Sequence, residues 1–207
     1  MSSFRVALTF DAEHPDRPAL PGTVEALLAC LADHGVRATF FVQGRWAEAC
    51  PDTVGQIAAG GHLVGSHSHY HARMPLLTDD GIAADLADAA AAIEAAGGVS
   101  PLPWFRCPFG AGADDRRVLA GIERAGYRHV GWDVAPDDWE PSHDAETVSN
   151  AVVDGVLAHG DGAVVLMHSW PTATRGALDA IVTRLTDAGA QFCRIDELAD
   201  VPSGVPE

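Results

Sequence analysis

The sequence predicts an α/β fold built on a parallel sheet, either a barrel or an open doubly wound sheet, and three observations carry that prediction. Apolar runs alternate with helical segments seven times along the chain. Each run is apolar throughout rather than alternating with polar residues, which is the pattern of parallel strands covered on both faces. The 207 residues, 47% hydrophobic and 20% charged, make one domain able to bury a substantial core, expected over residues 1–200 with a loose tail at 201–207. Seven units in so short a chain point to a reduced version of the eight-fold barrel.

Phe4 to Phe10 is the first buried strand and ends at Asp11. Residues 15–22 hold three prolines and form a loop. Thr23 to His34 reads as helix, broken by Gly35, and Arg37 to Val42 as the second strand. A second helix spans Arg45 to Ala59, closed by Gly60-Gly61, and a third strand, His62 to Ser66, follows. Thr78-Asp79-Asp80 is a helix-start signal for the alanine-rich helix running to Ala96. Leu102 to Cys107 is the fourth strand, Asp114 to Ala125 a short helix, and Arg128 to Asp133 the fifth strand. After a helix from Asp144 to Ala158, strand six is Ala163 to Met167. A last helix, Arg175 to Ala188, and the run Gln191 to Ile195 complete the pattern.

Twenty-nine acidic against thirteen basic residues give a formal charge of −16, which repels nucleic acid and anionic lipid and tolerates neutral or cationic ligands. No stretch is long enough to span a membrane, and the N-terminus lacks the basic start, apolar centre and cleavage site of a signal peptide. The expectation is a cytoplasmic protein whose widely spaced Cys30, Cys50, Cys107 and Cys193 stay reduced.

The densest set of metal-type ligands lies in Gly65-Ser66-His67-Ser68-His69-Tyr70-His71. A lone histidine there would read as a loop residue capping backbone groups, whereas three at alternate positions read as a metal site. If the segment is one turn of helix, His67 and His71 share a side and His69 points elsewhere. The other unusual polar residues fall at the ends of strands: Asp11 after the first, Arg106 ending the fourth, Asp133 and Asp138 after the fifth, His168 after the sixth. In parallel α/β folds these carboxyl ends form the active-site face, and core packing has no need of charge there.

In five short motifs, correctly ordered over roughly 160 residues, the chain resembles the polysaccharide deacetylases, or NodB-type carbohydrate esterases. Thr9-Phe10-Asp11 is similar to the first motif, His67-Ser68-x-x-His71 to the second, Arg106-x-Pro108-Phe109-Gly110 to the third, Asp138-Trp139 to the fourth and Leu166-x-His168 to the fifth. The resemblance implies a distorted seven-stranded (β/α) barrel and metal-assisted hydrolysis of an N-acetyl group. It implies a divalent ion on His67 and His71, zinc first, with cobalt, nickel or manganese as alternatives. Asp11 would be the general base, aimed by Arg106, and His168 the general acid. Asp138 would orient His168 or pair with Arg106. The backbone amide of Phe109 would donate to the oxyanion, a role that survives Phe in place of the family's usual Tyr. Trp139 and Leu166 would wall the pocket for the acetyl methyl.

Two departures qualify the match. The first motif usually has two adjacent aspartates, the second a metal ligand, but the second position here is Ala12. Some relatives carry the metal carboxylate two positions after the base, which makes Glu13 the substitute ligand, ahead of His14 and of a site without metal. In the fourth motif Ala135 stands where a further aspartate often occurs. The expected substrate is an acetylated amino sugar or a small sugar-containing metabolite, because a cell-wall or chitin enzyme would ordinarily carry an export signal and none is read at the N-terminus. The alternatives are an allantoinase-like or deformylase-like amidase acting on a ureide, imide or formamide, and a non-catalytic carbohydrate-binding protein. Sequence is silent on oligomeric state.

Overall fold

A computed structural model describes residues 3–16 and 20–205 of the chain. Strand β1 (Phe4–Ala12) is its axis, pairing in parallel with β2 (Thr39–Val42), β6 (Ala163–His168) and β7 (Ala190–Phe192). The strand order is β5-β4-β3-β2-β1-β6, with β3 at Leu63–Ser66, β4 at Trp104–Phe105 and β5 at Arg128–His129. A parallel bridge from Val134 to Val165 joins the segment beyond β5 to β6, so the sheet curls into the distorted (β/α) barrel expected.

Period-2 alternation along β1 divides the core. Val6, Leu8, Phe10 and Ala12 face the helix layer, among Leu27, Leu31, Ile57, Leu178 and Ile181. Ala7 faces the barrel interior with Phe41, Trp104, Val130 and Val164. Each fully buried large apolar side chain in these layers contributes about 1.5–3 kcal/mol. The outer layer comprises α1 (Thr23–Asp33), α2 (Gly44–Ala49), α3 (Pro51–Ala59), α4 (Asp79–Gly97), α5 (Arg116–Arg124), α6 (Ala145–His159) and α7 (Thr172–Asp187). Side-chain caps start three of these: Thr78 Oγ1 accepts from the Gly81 amide at 3.1 Å, Asp115 accepts from Arg117 and Val118, and Asp144 accepts from Thr147.

Several elements differ from expectation. The single helix expected over 45–59 is two, because Pro51 supplies no N–H and drives Cys50 out of the helical region, to φ −131° and ψ 51°. Strand β4 shrinks to two residues between Pro103, which has no N–H to donate to a ladder, and the turn at Pro108. Beyond Val130, whose amide still donates to Phe105 O, the chain leaves β4: the Gly131 amide donates to Pro202 O at 2.7 Å and the Asp133 amide to Val164 O at 2.8 Å. The tail is thus not loose over 201–205, since it covers backbone donors that β5 leaves open, and Trp132 also donates to Gly204 O. A Cβ on Gly131 would lie 1.6 Å from Gly204 O, which explains the glycine there. Residues 206–207 of the expected tail, and 17–19 of the proline-rich loop, lie outside the described residues. All four cysteines are unpaired, and no helix among the described residues is long and apolar enough to cross a membrane.

Two buried imidazoles make the fold sensitive to acid. His62 Nδ1 accepts from the Ala38 amide at 3.0 Å and His129 Nδ1 from the Cys107 amide at 3.3 Å, bonds that only the neutral ring can accept. Burial, aided by Arg194 for His62 and Arg106 for His129, depresses both to about 4. In the unfolded chain they titrate near 6.5. Their contribution is therefore present above pH ~6.5 and lost as the pH falls towards 4. Urea melts at pH 7 and pH 5 should show the midpoint falling in acid, and His62→Gln should flatten that dependence.

Candidate active site

The alternation that buries Ala12 in the helix-side core carries Asp11 and Glu13 to the opposite side, into the cleft at the carboxyl ends of the strands. A carboxylate at position 12 would face apolar packing, whereas position 13 reaches the histidines. Register does the rest, since Asp11 sits level with Phe41 on β2 and with His168 on β6.

Arg106 is completely buried and holds Asp11 in place. Its NH1 donates to Asp11 Oδ1 at 2.9 Å and to Thr9 Oγ1 at 2.8 Å, its NH2 to Gly131 O at 3.0 Å, and its Nε to Val130 O at 3.4 Å. The guanidinium lies over the Phe41 ring, 4.1 Å from the centroid. Asp11 leaves its second oxygen towards the cleft, 3.5 Å from His67 Nε2.

The histidine segment is not a turn of helix. Ser68 and His71 have φ of 62° and 57°, left-handed conformations that fold the loop back so that the His67 and His71 rings approach to 4.9 Å. The loop is pinned from three sides: Ser68 Oγ accepts the His71 amide at 2.8 Å, Asp85 of α4 accepts the amides of His69 and Tyr70, and Gly44 donates to Ser68 O. His69 points away from the cluster, its Nδ1 close to Gly44.

Glu13 Oε2 lies 3.3 Å from His67 Nε2 and in direct contact with His71 Nε2. One donor atom from each of the three residues falls within 4.8 Å of the others, which fits a tetrahedral ion with one position open. His67 Nδ1 faces Arg106 O at 3.0 Å, so it carries the proton and Nε2 presents its lone pair, the outer hydrogen bond typical of a metal-bound imidazole. The cluster also favours a positive occupant. Burial opposes a charged His67, yet the charge of Asp11 and the bond with Glu13 raise it above its ordinary value. Burial and the neighbouring His67 and His14 charges lower His71. For Glu13, burial works against the charged form, but bonds with His14, His67 and His71 hold it well below the usual carboxylate range. His14, the other candidate ligand, takes the far oxygen: its Nε2 is 2.9 Å from Glu13 Oε1, outside the three-donor group.

Across the cleft, Asp138 serves His168 and not Arg106. Its Oδ1 is 2.7 Å from His168 Nδ1, its Oδ2 accepts the His168 amide at 2.7 Å, and Thr174 Oγ1 also donates to Oδ2. This fixes the proton on Nδ1 and turns Nε2 towards the cleft, 3.8 Å from Glu13 Oε1. Burial opposes protonation, but the hydrogen bond and charge of Asp138, with Glu13 and Asp11 behind it, lift His168 to about 9. Asp133 instead accepts the Val164 amide at 2.9 Å, a structural bond to β6.

The cleft has a volume of about 870 Å³, and Phe109, Trp132, Trp139, Leu166 and Trp170 supply its apolar walls. Phe109 sits at φ 59° with its ring 4.5 Å from that of His71 and Arg73 stacked on it at 4.3 Å. Trp139 and Phe109 remain half exposed at the rim.

Sequence reasoning missed Thr9, Thr174, Trp170 and Asp85. Asp85 left a signal, an acid on the buried face of α4 between Ile82, Leu86 and Ala89. Thr174 left none, and Trp170, whose Nε1 donates to Glu13 Oε1 at 3.4 Å, is an aromatic two residues beyond His168.

An aspartate held by arginine and a histidine held by aspartate thus face each other over a ligand cluster at the carboxyl ends of the strands of a (β/α) barrel. The chain belongs to the polysaccharide deacetylase family, whose model matches residues 1–130. Peptidoglycan-N-acetylglucosamine deacetylase PgdA of Listeria monocytogenes is 33% identical over 194 residues, 94% of this chain but 38% of that protein. A T48 deacetylase solved with substrate superposes with a TM-score of 0.82 at 31% identity, covering 99% of this chain and 97% of the other. A family 4 carbohydrate esterase pseudoenzyme from Bacillus anthracis superposes with a TM-score of 0.84 at 28% identity, covering 96% of this chain and 66% of the other.

Proposed function

We propose that the chain is a divalent-metal-dependent N-deacetylase of acetylated amino sugars, acting on a glycan chain or its fragments. One arrangement carries this reading: three donor atoms from Glu13, His67 and His71 lie within 4.8 Å of one another, between Asp11 and His168. Glu13, His67 and His71 would hold a divalent ion of the zinc class, which would supply Lewis-acid polarisation of the acyl group and acidify the attacking water. The remaining work falls to the protein. Asp11, aimed by Arg106, takes the proton of the attacking water. His168, its Nδ1–H held by Asp138 and its ring kept charged by that carboxylate, presents a protonated Nε2 to the departing amine. The Phe109 amide donates to the oxyanion, and Trp139 and Leu166 flank the methyl group. The product amine is cationic, which suits a chain of formal charge −16.

The wide cleft with half-exposed aromatics at its rim, and relatives named as peptidoglycan deacetylases, favour a sugar polymer or oligomer over the small metabolite expected from sequence. The test is incubation of metal-loaded protein with N-acetylglucosamine oligomers, with formamides and ureides as controls. Acetate release that a chelator abolishes and zinc or cobalt restores is the expected result. Formate or a ring-opened product identifies the amidase, retained sugar binding without turnover identifies the binding protein, and full activity with no bound ion removes the metal from the mechanism.

Asp138→Asn should move the alkaline limb of the pH–rate profile to lower pH, since Asp138 is what raises His168. The protonated acid is present below about 9 and lost above it, and weakening the partner lowers that boundary. An unmoved limb would assign the acid to another group.

A further inference from the structure

We infer a second metal site, remote from the cleft, where Cys30 and His34 at the C-terminal end of α1 meet Asp179 of α7, taking a divalent ion of the zinc class. This goes beyond the deacetylase reading and does not depend on it. Cys30 and His34 stand four apart, so they project from one side of the helix, towards α7. One donor atom from each of Cys30, His34 and Asp179 lies within 4.8 Å of the others. His34 Nε2 and Asp179 Oδ1 are 2.9 Å apart. An isolated imidazole–carboxylate pair at a surface is worth little and has no use for a third group, whereas sulfur, nitrogen and oxygen converging on one point is a zinc-type donor set.

The surroundings suit a cation. The C-terminal carbonyls of α1 carry partial negative charge beside His34. Asp33 and Asp179 add carboxylate charge around the three donors, and the thiol would lose its proton on binding a divalent ion. Asp179 is 79% exposed and Cys30 is half-buried at the edge of the core, so an ion enters from solvent and the fourth position is left for water. Topology makes the site structural. A helix following a parallel strand ends near the strands' amino ends, so residue 34 lies on the face opposite the catalytic cleft, where the ion ties α1 to α7.

Cobalt(II) titration of the full chain tests this, because only a thiolate ligand produces an intense sulfur-to-cobalt charge-transfer band and the cleft cluster contains no sulfur. The band is expected in the wild type and in His71→Ala, and absent from Cys30→Ser with deacetylase activity unchanged. His34→Gln, at the solvent edge where folding is not at stake, should lose roughly tenfold or more in the cobalt affinity read from that band. Zinc should raise the melting temperature of His71→Ala but not of His71→Ala combined with His34→Gln. No band at saturating cobalt, a band that persists in Cys30→Ser, or an unchanged affinity in His34→Gln overturns the proposal.

Discussion

Replacing Asp11 by asparagine is expected to lower kcat by about 10²–10⁴-fold, the range of a positioned general base, while the metal stays bound. Asparagine keeps an acceptor for Arg106 and nearly the same volume, but cannot take a proton from water. Asp11 is 3% exposed and Arg106 0%, so the substitution also strips a buried guanidinium of its counter-charge. Breaking such a pair costs about 3–5 kcal/mol, so the folded fraction must be measured beside the rate. A rate loss of several orders of magnitude in protein that is still folded is chemistry, and wild-type turnover would remove Asp11 from the role of base.

Glu13→Ala should have the second large effect, the loss of metal and of turnover together. Glu13 reaches both sides of the cleft: His67 and His71 through one oxygen, His14 and Trp170 through the other, with His168 at 3.8 Å. Removing an outer partner of a metal ligand costs about 10–100-fold in affinity, and that is the ceiling expected for His14→Ala. Glu13→Ala should exceed it, and equilibrium dialysis of zinc against both variants measures the difference. If His14→Ala costs more than Glu13→Ala, the imidazole and not the carboxylate completes the site.

The sequence carried most of the catalytic face because that face has a one-dimensional signature: charged residues immediately after apolar strands. Asp11, Arg106 and His168 were legible on that ground, while Glu13 came only from the family resemblance, in which some relatives carry the metal carboxylate two positions after the base; that β1 runs on to Ala12 and turns it the other way is visible in the structure alone. What escaped is long-range or depends on backbone conformation. The approach of His67 to His71 comes from left-handed turns at Ser68 and His71, which no residue preference announces, since neither is glycine. The choice of Asp138 between Arg106 and His168 depended on loop geometry after β5. Residues 201–205 read as a tail because a chain end without periodicity carries no sign of the open donors at Gly131 and Trp132 that it covers. The break at Pro51, by contrast, was written in the sequence, as proline rarely continues a helix.

The most direct measurement is anomalous scattering at the zinc edge from crystals of the protein grown with zinc. A peak in the cleft about 2.0–2.2 Å from a Glu13 carboxylate oxygen and from Nε2 of both His67 and His71 is the expected result. A peak held by His14 in place of Glu13, or a cleft without one at saturating zinc, would contradict the assignment of Glu13 as the ligand that stands in for the missing aspartate.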